Sequence, residues 1–146
     1  MYLFAILNTV IFLALSLLHL YWLLGGRGGM NSVIPTVEKT TDKIFEPPAF
    51  ATFIVAIGLL LFSLIELGNT GLFSSWMEVK YFHWGNLLIA FIFLARAVGD
   101  FKYVGFFKKV RNTVFAKNDS HYFAPLCLFI AITSAFIALA DLGQYS

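Results

Sequence analysis

Charged side chains are scarce in this sequence. Ten Lys and Arg and eight Asp and Glu make up 12% of 146 residues, whereas 60% of the residues are hydrophobic. Soluble domains usually carry about twice that charged fraction, and a soluble chain of this length could not bury so much apolar surface. The composition therefore excludes an ordinary soluble globular domain.

Cysteine is nearly absent as well. Cys127 is the single cysteine, so an intramolecular disulfide is excluded and no cysteine-based metal site is indicated. Internal repeats, low-complexity tracts and linker-like stretches are also missing. The first apolar run has no basic residues before it and no small-residue cleavage site, which argues against a secretory signal. We expect a retained helix and a single membrane domain over residues 1–146.

The apolar residues themselves are concentrated in four blocks, at about residues 2–24, 48–67, 81–98 and 122–142. A helix needs about 17–25 mostly apolar residues to cross a bilayer. A segment inside the bilayer must satisfy its own backbone polar groups, which favours a helix. The sequence therefore predicts an all-α integral membrane protein built as a four-helix bundle.

Basic residues are distributed unevenly between the predicted loops. Nine of the ten Lys and Arg lie on the side of the first and third loops, and only Lys80 lies on the other side. The positive-inside rule makes the basic side cytoplasmic, so both termini are expected to be extracytoplasmic. The nine residues are Arg27, Lys39, Lys43, Arg96, Lys102, Lys108, Lys109, Arg111 and Lys117.

Each predicted span carries a stripe of small or polar residues at helical spacing. Small residues let membrane helices approach closely and polar residues bond across the interface, so the stripes are interpreted as the seams of the bundle. The four stripes are Asn8, Phe12, Ser16, His19 and Trp22; Thr52, Ala56, Leu59, Ser63 and Glu66; His83, Asn86, Ala90 and Ala97; and Cys127, Ala131, Ser134, Ala138 and Asp141.

Ionisable residues are expensive in a bilayer and often mark a site. Here they form an outer layer near the extracytoplasmic ends and an inner layer near the cytoplasmic ends. A histidine and two carboxylates in the outer layer would suit zinc or iron, but their spacing is not close, so we expect water-exposed helix ends and no metal site. The outer layer contains Asn8, Glu66, His83, Asn86 and Asp141, and the inner layer His19, Trp22, Arg96, Asp100, Asp119 and His121.

The third loop, FKYVGFFKKVRNTVFAK at residues 101–117, interleaves aromatic and basic side chains. A loop obeying only the positive-inside rule would not need the aromatics. The mixture predicts an interfacial amphipathic segment, with rings at the acyl boundary and cations on anionic lipid phosphates. After it, Asp119 and Ser120 are expected to cap the fourth helix. The predicted headgroup contacts are Lys102, Lys108, Lys109 and Arg111.

Several motifs together are similar to a bacterial family of small four-span membrane proteins, known as domain of unknown function 3995. The resemblance covers nearly the whole chain and implies a bacterial inner-membrane protein whose motifs gather on the cytoplasmic side. It implies no established reaction and assigns no cofactor. The motifs are His19-x-x-Trp22-x-x-Gly25-Gly26, Arg96-Ala-Val-Gly-Asp100-Phe-Lys-Tyr-Val-Gly-Phe-Phe-Lys108, Phe115-Ala-x-x-Asp119 and Pro125-Leu-Cys127.

The inner layer predicts a pocket that opens to the cytoplasmic leaflet and takes a lipid or small amphiphile. In this hypothesis Arg96 holds a phosphate or carboxylate, and the glycine-rich loop around Arg27 adds donors. The physiological role is not specified by the sequence. The predicted ligand-binding residues are His19, Trp22, Arg27, Arg96, Asp100 and Asp119.

Other functions remain open at this point. An enzyme would use His19 as acid or base, oriented by Asp100 or Asp119, but no nucleophile motif supports it. A haem or metal protein would use His19 or His83 as a ligand, and a small transporter subunit would lack a mid-membrane carboxylate. Topology explains the net charge of +2, so nucleic acid is not an expected partner. A homo-oligomer is compatible with four short helices.

Overall fold

The computed structural model describes residues 1–35, 47–73, 75–76 and 78–142, and every regular element in this part of the chain is helical. Of the predicted cytoplasmic cations, Lys39 and Lys43 lie outside the described residues. The side chain of Asp141, expected in the outer layer, is outside them too.

Within these ranges four helices are long and apolar enough to cross a membrane, which confirms the all-α membrane bundle. The fourth is a continuous apolar helix of 27 residues at Val114–Ala140, so it begins eight residues before the expected 122. The elements in chain order are α1 (Tyr2–Leu23), the short α2 (Met30–Val33), α3 (Ala49–Gly68), α4 (Val79–Val98), α5 (Val114–Asn118), a π-helical turn (Asp119–Phe123) and α6 (Ala124–Leu142).

The four long helices pack as a ring. Helix α1 packs mainly on α3 and α4 mainly on α6, while thinner contacts of α1 with α6 and of α3 with α4 complete the bundle. Helices α1 and α4 therefore stand diagonally, and they meet at the centre, where the Phe12 and Phe93 ring centroids are 5.3 Å apart. Large apolar side chains cover the outside, as a lipid-facing surface requires; they include Leu3, Ile54, Leu61, Phe91 and Ile132.

The bundle has two different ends. We call the end with the first and third loops the basic end and the opposite one the far end. At the basic end, α2 packs against α5, and Asn118 Nδ2 donates to the Ser32 carbonyl at 3.4 Å. At the far end, a Cβ on Gly68 would lie 2.1 Å from Phe82 Cε1, so the end of α3 packs closely on α4.

The start of the fourth helix differs from the sequence prediction. Thr113 is the N-cap residue, and its Oγ1 accepts from the Ala116 N–H at 3.1 Å. Asp119 and Ser120 therefore do not cap the helix; the prediction was wrong because Thr113 already satisfies the first turn. Asp119 opens the π-helical turn instead. Such turns often occur at functional sites in otherwise regular helices.

Candidate functional site

A fully buried carboxylate at the basic end joins three parts of the chain. Arg96 Nη2 donates to Asp119 Oδ1 at 3.0 Å, and Lys108 Nζ donates to Asp119 Oδ2 at 3.0 Å. The Gly105 N–H also donates to Oδ2, at 2.7 Å. We call Arg96, Lys108 and Asp119 the basic-end network. It ties α4, the third loop and the π-helical turn together with one charge-assisted set of bonds.

Lys108 is the least expected member of this network, because a lysine is rarely buried unless it is paired. It is 2% exposed. Its Nζ donates to the Gly105 carbonyl at 2.9 Å and to Ser120 Oγ at 2.7 Å, besides Asp119. All three ammonium donors are thus used. The sequence prediction had Lys108 contact lipid headgroups; its ammonium instead faces the bundle, because Asp119 provides the only counter-charge it contacts among the described residues.

Two glycines let the third loop lie directly against the end of α4. Gly99 and Gly105 have positive φ values of 87° and 86°. A Cβ on Gly99 would lie 1.7 Å from the Val104 carbonyl oxygen, and one on Gly105 would lie 2.5 Å from the Val98 carbonyl oxygen. No side chain fits such approaches. The loop is therefore a folded part of the site.

Asp100 organises this loop from within. Its Oδ1 accepts from the backbone N–H groups of Lys102 at 2.9 Å, Tyr103 at 2.7 Å and Val104 at 2.9 Å. Slight desolvation raises the pKa of the Asp100 carboxyl, but the hydrogen bonds from Tyr103, Val104 and Lys102 outweigh it and leave the pKa below its usual 3.8. Because α4 ends at Val98, Asp100 does not share a helix face with Arg96. This predicted ligand residue is exposed, and its carboxylate accepts hydrogen bonds from its own loop.

The outer surface of the loop is both aromatic and basic. Phe101 is 57% exposed and Phe107 63%, and their ring centroids are 6.4 Å apart. Lys102 Nζ lies 5.0 Å from the centroid of the Tyr103 ring. We call this surface the aromatic–basic face; it consists of Phe101, Lys102, Phe106, Phe107, Lys109 and Arg111, all exposed.

The predicted ligand residues of the first span form a separate group. His19 Nδ1 donates to the Leu15 carbonyl at 2.8 Å, and the His19 and Trp22 rings meet edge-on with centroids 5.1 Å apart. Trp22 Nε1 donates to the Gly28 carbonyl at 2.8 Å, which folds the glycine-rich loop back on α1. Arg27 is exposed in that loop.

The two groups stand on diagonal helices, α1 and α4. Within the described residues, no hydrogen bond or ion pair joins His19 or Trp22 to Arg96 or Asp119. The remaining inner-layer residue, His121, is exposed, and its Nδ1 donates to the Lys117 carbonyl at 2.8 Å. The structure therefore joins Arg96 to Asp119. A pocket wall that combines His19 and Trp22 with Arg96 and Asp100 stays a prediction.

In the far half of the bundle, four of the outer-layer residues, Asn8, Glu66, His83 and Asn86, are buried. Asn8 Nδ2 donates to Glu66 Oε1 and to Thr133 Oγ1, each at 3.0 Å, and Ser134 Oγ donates to Glu66 Oε1 at 2.7 Å. We call Asn8, Glu66, Thr133 and Ser134 the polar cluster. The expectation of water-exposed helix ends was wrong for Asn8 and Glu66, which are fully buried where the four helices pack together.

Two further outer-layer residues are buried on α4. His83 Nδ1 donates to the Ala138 carbonyl at 2.9 Å, and Asn86 is fully buried one turn further along the helix. Among the described residues, no group of three or more His, Cys, Asp or Glu side chains could hold a metal ion. The far half therefore offers hydrogen-bonding groups from all four long helices.

The sequence of residues 12–134 matches the model of a family described as "Protein of unknown function (DUF3995)". The chain belongs to the DUF3995 family. No curated protein and no solved structure matches it.

In this DUF3995 protein the matched region contains both the basic-end network and most of the polar cluster. Sequence reasoning missed the inward role of Lys108 and omitted Thr133 from the fourth stripe. A polar Thr beside Ser134 in an apolar helix is a signal that could have identified Thr133. No local signal distinguished Lys108, since Lys108 and Lys109 are adjacent and chemically alike.

Proposed function

We propose that this DUF3995 protein binds anionic lipid headgroups through the aromatic–basic face of its basic end. The observation that carries the proposal is the combination of exposed rings and exposed cations on one folded loop. Rings of this kind enter the acyl boundary while neighbouring cations stay at the phosphates. In this proposal the basic end faces the cytoplasm of a bacterial inner membrane, as the positive-inside rule predicts.

The folded state of the loop favours binding. Disordered segments lose conformational entropy when they order on a ligand, whereas a preorganised surface avoids that cost. Here Gly99, Gly105 and the buried Lys108 hold the loop against α4 before any lipid arrives. The exposed Lys102, Lys109 and Arg111 are thus presented together.

The basic-end network adds to the attraction for anions. Arg96 and Lys108 face one carboxylate, Asp119, so the network carries one excess positive charge. Arg96 Nη1 is buried and has no hydrogen-bond partner among the described residues. An Arg donor of this kind suits a phosphate or carboxylate oxygen. Arg27, exposed at the same end, is a further proposed contact, and the roles of His19 and Trp22 in a ligand pocket stay predictions.

Native mass spectrometry of the detergent-purified protein, after equilibration with phosphatidylglycerol or phosphatidylcholine, tests the proposal. Wild-type protein should retain phosphatidylglycerol in preference to phosphatidylcholine. Each basic residue at a membrane surface contributes about 1 kcal/mol, so the triple variant Lys102→Ala, Lys109→Ala and Arg111→Ala should bind about a hundredfold more weakly.

Lys80→Ala is the matched control. Lys80 is also exposed and lies 5.3 Å from the centroid of the Tyr81 ring, much like Lys102 beside Tyr103, but at the far end. Its removal should leave phosphatidylglycerol retention unchanged. Equal retention by the triple variant and the wild type would show that the aromatic–basic face does not bind headgroups.

A further inference from the structure

Glu66 is a carboxyl group without a counter-charge. Its side chain is fully buried, and none of the ion pairs among the described residues includes it. Oε1 accepts from Asn8 and Ser134, whereas Oε2 has no hydrogen-bond partner in the part of the chain that the structure describes. A buried carboxylate with no cation costs several kcal/mol even after the protein relaxes. The environment therefore disfavours the charged form and offers Oε2 no donor.

Asn86 is the complementary unpartnered group. It is fully buried, and neither its amide oxygen nor its amide nitrogen has a hydrogen-bond partner among the residues that the structure describes. The bond from His83 to the Ala138 carbonyl sets the antiparallel register of α4 and α6, so the next turn of α4 lies level with Ser134. A Cβ on Gly85 would lie 2.8 Å from Ile65 Cγ2, so this part of α4 packs against α3 at the residue that precedes Glu66.

We propose that the far half of the bundle contains a proton-binding site, in which Glu66 is a neutral carboxylic acid whose Oε2 hydroxyl donates toward the Asn86 carboxamide oxygen. The proton supplies the one donor that the two unpartnered oxygens lack. It also removes the uncompensated charge. A single bound proton thus accounts for both the absent counter-charge and the two unpartnered oxygens, and an ionisable group within a membrane span often serves a function of this kind.

The donor set fits a proton better than a metal cation. Hard cations such as Ca²⁺ and Mg²⁺ take about six or more oxygen ligands. Glu66 and Asn86 together offer only two oxygens without partners among the described residues, Glu66 Oε2 and Asn86 Oδ1. From the packed helices, α1 presents Asn8, α6 presents Thr133 and Ser134, and α4 presents His83 and Asn86. His83 is the titratable group among them, and it forms no ion pair with Glu66. The side chain of Asp141 lies outside the described residues.

Infrared spectroscopy of the full chain in lipid nanodiscs at neutral pH tests the proposal. A protonated carboxylic acid gives a carbonyl stretch well separated from carboxylate bands, and that band shifts in D₂O. Wild-type protein should show it, and Glu66→Gln should remove it. Glu78→Gln changes an exposed glutamate of the far end and should leave it in place. Absence of the band from the wild type would overturn the proposal.

Thermal unfolding gives an independent measurement. Gln resembles the neutral acid in size and polarity, so Glu66→Gln should unfold within a few degrees of the wild type. The wild type should unfold at the same temperature in sodium chloride and in choline chloride. A higher unfolding temperature in sodium, lost in Glu66→Gln, would overturn the proposal in favour of a sodium site. The wild-type band requires no variant, so its absence overturns the proposal even if Glu66→Gln does not fold.

Discussion

Asp119 and Glu66 are both completely buried carboxyl groups, yet their surroundings are opposite. Asp119, at the basic end, accepts from a guanidinium, an ammonium and a backbone N–H. Glu66, in the far half, accepts only from the neutral side chains of Asn8 and Ser134. Burial alone therefore does not assign the charge of a carboxyl group; the charge of its partners does.

The difference also follows the position of each group in the bundle. The basic end lies beside a loop rich in Lys and Arg, so cations are available to be drawn inward. The far half is surrounded by apolar helix faces, and Glu66 receives only hydroxyl and amide groups from neighbouring helices. The site around Asp119 therefore compensates a buried charge with cations, whereas the site around Glu66 offers only neutral hydrogen-bond partners.

The largest expected effect comes from removing the buried carboxylate of the basic-end network. Asp119→Ala leaves Lys108 buried without its counter-charge, so the free energy of unfolding should fall by about 3–5 kcal/mol. Denaturation in mixed micelles measures the change. Glu66→Gln, which leaves no cation behind, should cost much less. Similar losses in the two variants would mean that the two sites do not differ in charge.

The next effect concerns the loops at the two ends. Gly99→Ala must move the Val104 carbonyl, in addition to adopting a positive φ of 87°. Gly71→Ala, in the far-end loop, has a similar φ of 85° but open space around the Cβ. A positive φ costs a non-glycine residue about 1–2 kcal/mol, and the clash about 1–3 kcal/mol more. Thermal unfolding should show the larger loss in Gly99→Ala; equal losses would contradict the close packing of the third loop.

A smaller effect is expected in the polar cluster. Asn8→Ala removes bonds to Glu66, Thr133 and Ser134. Hydrogen bonds between membrane helices are worth about 0.6 kcal/mol on average and up to about 1.7 kcal/mol, so a loss of about 1–2 kcal/mol should appear in denaturation. Thr9→Ala is the control, since its hydroxyl bonds the Ala5 carbonyl of its own helix. The cluster would not join the helices if both variants behaved alike.

The smallest effect is the pH dependence of the third loop. Because the folded pKa of Asp100 is lowered, its stabilising contribution is present above the usual value of 3.8 and is lost as pH falls through the folded pKa. Protection of the Lys102, Tyr103 and Val104 amides against hydrogen exchange, measured relative to their intrinsic exchange rates at the same pH, should then fall. Asp100→Asn should show lower protection at neutral pH and little further change in acid. Protection in the wild type that stays constant as the pH falls would show that the carboxylate does not hold the loop.

The composition predicted much of the fold. Four apolar blocks of membrane length became four long helices, with boundaries close to the expected ones in the first three. The stripes also predicted buried positions such as Asn8, Ala56 and Ser134. At His19 and Trp22, near a loop at the basic end, the stripe is only half-buried.

The charge partners were not predictable in the same way. Arg96 and Asp100 have the spacing of a helical pair, but Gly99 ends the helix between them, and the partner of Arg96 comes from Asp119. Lys108 and Lys109 are neighbours in sequence, yet only the first is buried. Such choices depend on how the loop returns to α4.

The sequence by itself therefore determined the membrane-spanning helices, the uneven distribution of basic residues and the faces that meet in the bundle. These follow from the transfer of each segment into lipid, which is a sum over its own residues. The tertiary structure alone decided that Lys108 turns inward to Asp119 and that Glu66 is closed off from water. Those outcomes depend on how separate segments pack, through a close contact between α3 and α4 at Gly68 and between the third loop and the end of α4 at Gly99 and Gly105.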